Sequence, residues 1–277
     1  MDRKVASAGW EDGQILAGKT LIVTGCASGI GLETAGLIKD LGGDVIGVDR
    51  EMTTEHVDEL YRADLSDKRM IQALVQALGK ALPGGADGIA NMAGLSPAAP
   101  AEMVLKVNWV GLKFFTHSMV PRLADGASIV NLAALAGAGW PDAAHLIKAG
   151  LELDFAGVPD FIRRHGLGDD PSRPFVFTKQ ALIAWTHLNR WTWRTRGIRM
   201  NALSPGPVDT PSMADYSGIH GESAKEALSR MDRPGQPADI APVAAFLLSD
   251  MSKWIRGADI PVDGGLSSHM LCNKLAL

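Results

Sequence analysis

Short runs of β-branched residues ending in glycine or a polar residue alternate along this chain with longer stretches of helical periodicity. That rhythm restricts the fold more than any other feature. "TLIVTG" leads into a helical pattern over 30–41, "DVIGVD" precedes one over 67–82, and "DGIANMAG" precedes one over 102–123. "ASIVNLAA" is followed at a distance by a helix over 175–196, "IRMNALSPG" by one over 238–249, and "ADIPVDGG" closes the series. Strands separated by helices of this kind pair in parallel through right-handed crossovers. Near-continuous apolar strands are buried on both faces, as a doubly wound parallel sheet with helices on each side requires. The expectation is one α/β domain over 18–277, preceded by a loose N-terminal arm over 1–17. Two segments interrupt the alternation, 138–173 and 209–236. Both follow the carboxyl end of a strand, where open α/β sheets bind ligands.

Bulk properties narrow the partners. A chain of 277 residues, 46% apolar with 31 glycines, can bury a single large core. The formal charge of −4, with no basic block, leaves no electrostatic footprint for nucleic acid or an anionic membrane. A small neutral or cofactor-bound substrate is expected instead. Cys26 and Cys272 form no C-x-x-C pair or His/Cys cluster, so neither a disulfide framework nor a metal site is indicated and a reducing cytoplasm fits. The leader has no apolar segment of signal-peptide length, and no later run is long enough to span a membrane.

"TLIVTGCASGIGLETAGLI" places Gly25, Gly29 and Gly31 between a strand and a helix, with Ser28 and Ile30 among them. Glycines there let the backbone turn tightly and bring N–H groups and a helix N-terminus against a pyrophosphate. The next strand ends in Asp49, eighteen residues past Gly31, where a carboxylate accepts bonds from a ribose and repels a 2′-phosphate. NAD(H) is therefore expected over NADP(H), with the neighbouring Arg50 keeping NADP(H) open. Asp64 and Leu65 after the third strand, and Asn91, Ala93 and Gly94 after the fourth, add small or polar groups along the same sheet edge.

These strings resemble the short-chain dehydrogenase/reductase family, a Rossmann-type fold. "TGCASGIG" is similar to its glycine loop and "NMAG" to its N-N-A-G. "SPGPVDTP" is similar to the segment beside the nicotinamide, and "VDGG" to its last strand. The resemblance implies cofactor contacts from Pro205, Gly206, Val208 and Thr210. It implies that Asn108 corresponds to the family's helix asparagine, a post in a water-held proton relay. Lys179 corresponds to the lysine that binds the nicotinamide ribose and lowers the pKa of a tyrosine. The family's serine and tyrosine positions fall on Ala134 and Phe175, each the expected residue minus one oxygen. These positions are 41 residues apart, far more than ordinary members leave, so 138–173 reads as an insertion. That resembles the subgroup holding 3α-hydroxysteroid dehydrogenase/carbonyl reductase and coniferyl alcohol dehydrogenases, which take bulky apolar or aromatic alcohols and ketones.

Loss of a positioned proton donor typically costs about 10²–10⁴ in rate. Loss of one oxyanion donor costs about 10²–10³. Three readings stay open. The first is hydride transfer to a substrate needing no proton at oxygen, such as an imine or iminium carbon, or transfer assisted by a substitute acid among Tyr216, His145 and Asp142. The second is a diverged or deliberately altered, catalytically disabled alcohol dehydrogenase. The third is a non-catalytic NAD-binding protein. Candidate pocket walls are Leu95, Trp140, Pro207, Met213 and Tyr216, with the insertion either supplying a wall through Trp140, His145 or Leu146 or forming an oligomer contact that covers the neighbouring helix. Trp185, Trp191 and Trp193, read as lying on the Lys179 helix, suit a subunit interface, and a homodimer or homotetramer is expected.

Overall fold

Residue alternation along β1 (Thr20–Thr24) divides the core in two. Leu21 and Val23 pack on one face of the sheet with Ala35, Ile38, Ile240 and Leu247, while Ile22 packs on the other with Ile71, Leu78, Phe115 and Leu182. Successive strand side chains point to opposite faces, so a strand apolar at every position needs a helix layer on both. The computed structural model describes residues 13–211, 213 and 228–276 and supplies those layers.

One face carries α1 (Gly29–Asp40) and α8 (Pro237–Leu248). The other carries α2 (Lys68–Ala81), α4 (Leu112–Met119) and α7 (Ser172–Leu188). Between them lie β1, β2 (Asp44–Asp49), β3 (Glu59–Arg62), β4 (Ala86–Asn91), β5 (Leu123–Leu132), β6 (Arg199–Pro205) and β7 (Asp259–Val262). All pair in parallel in the order β3-β2-β1-β4-β5-β6-β7. The chain reverses direction across the sheet between β1 and β4, which opens a crevice at their carboxyl ends. β7 tolerates Pro261 because it is an edge strand with one unpaired side. No helix among the described residues is long and apolar enough to cross a membrane.

Several boundaries differ from the sequence reading, each for a local reason. Residues 13–17 are not a loose arm: Leu16 is fully buried against α1, and its N–H donates to Leu41 O at 3.0 Å. Residues 1–12 lie outside the described residues. The helix expected over 102–123 is broken into α3 (Ala101–Leu105), a π-helical turn over Lys106–Gly111, and α4, after which Leu123 already belongs to β5. A π turn keeps side chains near a helical period while shifting the backbone register, so periodicity alone does not reveal it.

The helix expected over 175–196 starts three residues earlier, because Pro174 is tolerated in a first turn, and ends at Leu188. There the Asn189 amide Nδ2 donates to Trp185 O at 2.8 Å and satisfies a terminal carbonyl. Trp191 and Trp193 therefore sit in turns beyond the helix, Trp191 being exposed. Trp185 stays on α7, buried edge-on to Trp109. The closing α9 (Leu266–Lys274) follows β7 without a signal having been read for it.

A buried polar chain crosses the sheet below the crevice. Asn91 Nδ2 donates to Thr116 Oγ1 at 3.0 Å and to Asn131 Oδ1 at 2.9 Å, and Asn131 Nδ2 donates to Thr186 Oγ1 at 2.9 Å. These bonds tie α4, β4, β5 and α7 together where water cannot substitute. Asn131→Leu should lower the unfolding free energy by about 2–4 kcal/mol, since it deletes two buried bonds and introduces bulk among polar neighbours. A shift of the urea midpoint with an unchanged m-value measures it.

Candidate active site

A cleft of about 410 Å³ runs along the carboxyl ends of β2, β1, β4, β5 and β6. That volume falls within the range of small-molecule and cofactor sites. Its first end is made by the glycine loop. Gly25 takes φ +72°, and a Cβ there would lie 2.7 Å from Ala93 Cα. A Cβ on Gly31 would meet Gly25 O at 2.0 Å, so the first turn of α1 can sit on the loop only without a side chain. Ser28 caps α1 in extended backbone but its hydroxyl oxygen accepts from none of the helix N–H groups, and no acid occupies the first turn. The helix N-terminus therefore faces the cleft with positive character.

Asp49 closes this end of the cleft. Its Oδ2 accepts from Ala27 N at 3.0 Å and its Oδ1 from Glu51 N at 3.0 Å, so the carboxylate is held against the loop. Arg50 also lines the cleft, and its Nε lies 3.4 Å from Glu51 Oε1. Asp64 turns its Oδ1 onto Ser66 N at 2.7 Å, with Leu65 beside it on the cleft wall. Burial, with the Asp49 charge adding to it, pushes the Cys26 thiol up to about 11, so this loop cysteine is an inert packing group.

The opposite wall is the segment after β6. Pro205, Gly206, Pro207, Val208, Thr210, Pro211 and Met213 all line it. A bridge between Val208 and Gly235 and a bond from Gly235 N to Pro207 O at 2.9 Å fasten the segment. A Cβ on Gly29 would stand 3.4 Å from Thr210 Cγ2, so the loop and this segment face each other across the cleft.

The inner end brings together three of the four positions singled out for chemistry. Ala134, in extended backbone, precedes a 3₁₀ turn over Leu135–Gly137. Gly137 is what lets that turn reach α7: a Cβ there would lie 2.8 Å from Lys179 C and 2.7 Å from Ile183 Cδ1. Ala134, Phe175 and Lys179 consequently line one surface. Lys179 is only 7% exposed, its Nζ donates to Leu132 O at 2.7 Å, and it stands 5.5 Å from the Phe175 ring centroid. Burial alone pulls its pKa down to about 8.

The fourth position, Asn108, lies in the π turn behind this surface, not on it. Its Oδ1 accepts from Leu95 N at 2.7 Å and its Nδ2 donates to Leu95 O at 2.9 Å. Its amide is a clamp on the loop after β4, which carries Gly94, Leu95 and Ser96 along the cleft. A π turn at a functional site is a recurrent device, since the inserted residue re-aims the side chains around it.

Other expected residues fall elsewhere. Asn91 lies beneath the cleft floor with its Nδ2 committed to Thr116 and Asn131, while Ala93 lines the cleft. Trp140 does not reach the cleft. The turn after Gly137 carries it outward to pack on His187, ring centroids 5.2 Å apart. His145 and Asp142 are exposed on the insertion and do not line the cleft formed by the described residues. Tyr216 lies outside the described residues.

The insertion forms α5 (Ala144–Gly150) and α6 (Val158–His165) and lies over the helices bearing Asn108 and Lys179. Trp109 Nε1 donates to Gly150 O at 2.9 Å, Lys113 donates to Leu151 O, and Phe161 packs on Phe177. Several cleft residues carry no motif that marks them, among them Glu51, Pro97, Leu135, Leu266 and the polar Ser96. Ser96 sits two positions past "NMAG" in a Pro-containing loop that has no periodicity to place it.

Known proteins resemble the chain over most of its length. A family profile described as "short chain dehydrogenase" matches residues 19–145, and one described as "Enoyl-(Acyl carrier protein) reductase" matches residues 170–267. The stretch between them falls inside the insertion. The chain is 36% identical over 256 residues to the coniferyl-alcohol dehydrogenase of Pseudomonas sp. (strain HR199 / DSM 7063), covering 91% of this chain and 98% of that protein. It is 28% identical over 258 residues to the 3-alpha-hydroxysteroid dehydrogenase/carbonyl reductase of Comamonas testosteroni, covering 90% and 97%. A solved structure of the 3-alpha-hydroxysteroid dehydrogenase from Pseudomonas sp. B-0831 complexed with NADH superposes with a TM-score of 0.80. That pair shares 26% identity over 91% of this chain and 98% of that one.

Proposed function

The chain belongs to the short-chain dehydrogenase family of oxidoreductases, and from that membership we propose that it transfers hydride between NAD(H) and a bulky, apolar or aromatic alcohol or its carbonyl. The observation that carries the reading is a single cleft with a glycine loop and carboxylate at one end, a buried lysine at the other, and apolar walls between. The glycine cradle fits a dinucleotide because the close approaches at Gly25 and Gly31 leave backbone, not side chain, at its surface. Gly25, Ser28, Gly29, Ile30 and Gly31 would receive the pyrophosphate and Asp49 the adenosine ribose. Lys179 would hold the nicotinamide ribose, and Gly206, Val208 and Thr210 the carboxamide side. When bound, the cofactor supplies the hydride. The protein's own part is to bind, to orient, and to exclude water.

Substrate class follows from the remaining walls. Leu95, Pro97, Leu135, Phe175, Pro207 and Met213 offer flat or flexible apolar surface, which suits an aromatic or alicyclic body. The names of the two relatives, one taking coniferyl alcohol and one a 3α-hydroxysteroid, support the same class. A carbonyl fits this cleft better than an iminium carbon. Lys179's ammonium faces the same cavity, and a second cation in a low dielectric is opposed by its charge.

The test is binding and turnover side by side. NADH should bind at least about tenfold more tightly than NADPH, because Asp49 repels a 2′-phosphate. Coniferyl alcohol or a 3α-hydroxysteroid should be oxidised with NAD⁺. Asp49→Ser should erase the preference by weakening NADH and strengthening NADPH, read by nicotinamide fluorescence. Tight NADH binding with silence on every alcohol and carbonyl would favour the nucleotide-binding protein instead.

A further inference from the structure

The polar side chains of the cleft divide by position. Ser28, Asp49, Arg50, Glu51 and Asp64 belong to the dinucleotide end, and Thr210 faces Gly29 with its hydroxyl toward Val208 O at 3.4 Å. At the inner end, among the described residues, the side chains able to donate to a substrate oxygen are Lys179 and Ser96. A serine hydroxyl can hold an oxygen but does not give up its proton near neutral pH. An ammonium can do both.

We propose that Lys179 is itself the proton donor of the reaction, acting on the substrate oxygen in the place that Phe175 leaves without a phenol. This rests on the functional reading above. The geometry that carries it is the coincidence of three facts. Lys179 and Phe175 line one wall, with Nζ 5.5 Å from the ring centroid. Leu132 O takes one of the three ammonium N–H groups, and no other acceptor among the described residues takes the rest. Gly94 stands beside it with no side chain, and a Cβ there would lie in ordinary contact, 3.9 Å from Nζ and 3.6 Å from Asn108 Oδ1, so the glycine leaves that approach to the ammonium clear. A bound carbonyl oxygen can then meet the ammonium directly or across one water.

The step balances. The carbonyl carbon gains a hydride from NADH, and the C–O π bond breaks as a C–H bond forms. The oxygen takes a proton from Lys179 as the O–H bond forms. Lys179 is left as a neutral amine and regains a proton from water, while NADH becomes NAD⁺. Alcohol oxidation runs the same steps backward and needs the neutral amine.

Burial moves this lysine toward the working range, to about 8, with no charged neighbour contributing. The charged and titratable groups on the packed elements are engaged or remote. Glu102 and Lys106 pair with each other, and His145 and Lys148 are exposed on α5. Arg199 sits at the far end of β6 on Ser249 O, and Asp259 accepts from Ser204. The sign follows. Reduction needs the protonated form, so its rate falls about tenfold per pH unit above about 8. Oxidation rises up to that pH and levels off.

The experiment uses the full chain, NADH and coniferaldehyde or acetophenone in single turnovers across pH 6–10. It adds the ¹³C shift of Lys179 Cε in cofactor-free protein. The expected result is a rate limb and a shift midpoint at about 8, the same value in both. Lys179→Arg keeps the charge, and its NADH affinity is read separately by fluorescence so that saturating cofactor offsets any loss of ribose binding. Its single-turnover rate should fall at least about 100-fold, because a guanidinium does not release a proton. Ser96→Ala should keep the limb. A rate flat across the range, or one that Lys179→Arg retains and Ser96→Ala abolishes, overturns the inference and leaves the functional reading standing. No turnover of either carbonyl or of the alcohols above, with NADH bound, removes both.

Discussion

Ala134→Ser with Phe175→Tyr should raise carbonyl reduction with NADH by about 10²–10³ in kcat/KM, the scale of one added oxyanion donor, because Lys179 already supplies the proton. Both side chains line the inner cleft with Lys179, so the restored oxygens would point at the same bound atom. Ala134 sits in extended backbone that accepts serine without strain, and Phe175 lies in the first turns of α7, where a phenol replaces a phenyl at no backbone cost. The gain should not be the sum of the single gains, since groups acting on one oxygen work as a unit. NADH affinity should stay unchanged, because neither position lies at the dinucleotide end. An unaltered rate would mean that these residues do not face the reacting carbon. It would also remove the reading of this chain as a diverged or disabled dehydrogenase whose missing oxygens limit its chemistry.

The second large effect is expected at Gly31. Adding one methyl group there places it 2.0 Å from Gly25 O and 2.7 Å from Gly25 C, both backbone atoms of the loop. No side chain can swing away to relieve this contact. Either α1 withdraws from the loop or the loop turns its N–H groups off the cleft. Gly31→Ala should therefore weaken NADH binding by more than about 100-fold, equivalent to losing two or more good contacts to the pyrophosphate. Thermal unfolding in the absence of cofactor separates a loop effect from general collapse. Gly29→Ala is the companion variant. It meets only the Thr210 side chain at 3.4 Å but needs φ +54°, so its milder loss should come from strain of about 1–2 kcal/mol.

Much of this architecture was legible because it rests on short-range rules. The apolar runs at "TLIVT" and "DVIGV" each became a parallel strand, and the glycine spacing became the turn it implies. Asp49 was placed by its distance from the loop alone. Non-local packing departs from what local patterns encode. Leu16 carries no periodic pattern around it, so its burial under α1 was invisible. Trp140 and His145 were close in sequence to the serine-bearing strand of the family, yet the turn after Gly137 sends them to the outside of α7. Asn108 was identified by motif, while its role as a two-bond clamp on Leu95 depends on a backbone shift in the π turn that hydrophobic spacing does not encode.

The sequence by itself determined the class of fold, the place of the glycine loop between β1 and α1, and the 41-residue spacing between Ala134 and Phe175. Those properties follow from residue type and spacing along one segment, through sterics at glycine and burial at β-branched strands. Only the tertiary structure decided that Ala134, Phe175 and Lys179 share one wall, that the insertion covers helices and does not line the cleft, and that Lys179 is desolvated. Each depends on segments far apart in the chain meeting across the sheet. Desolvation in particular is set by everything packed around a group, not by the group's neighbours in sequence.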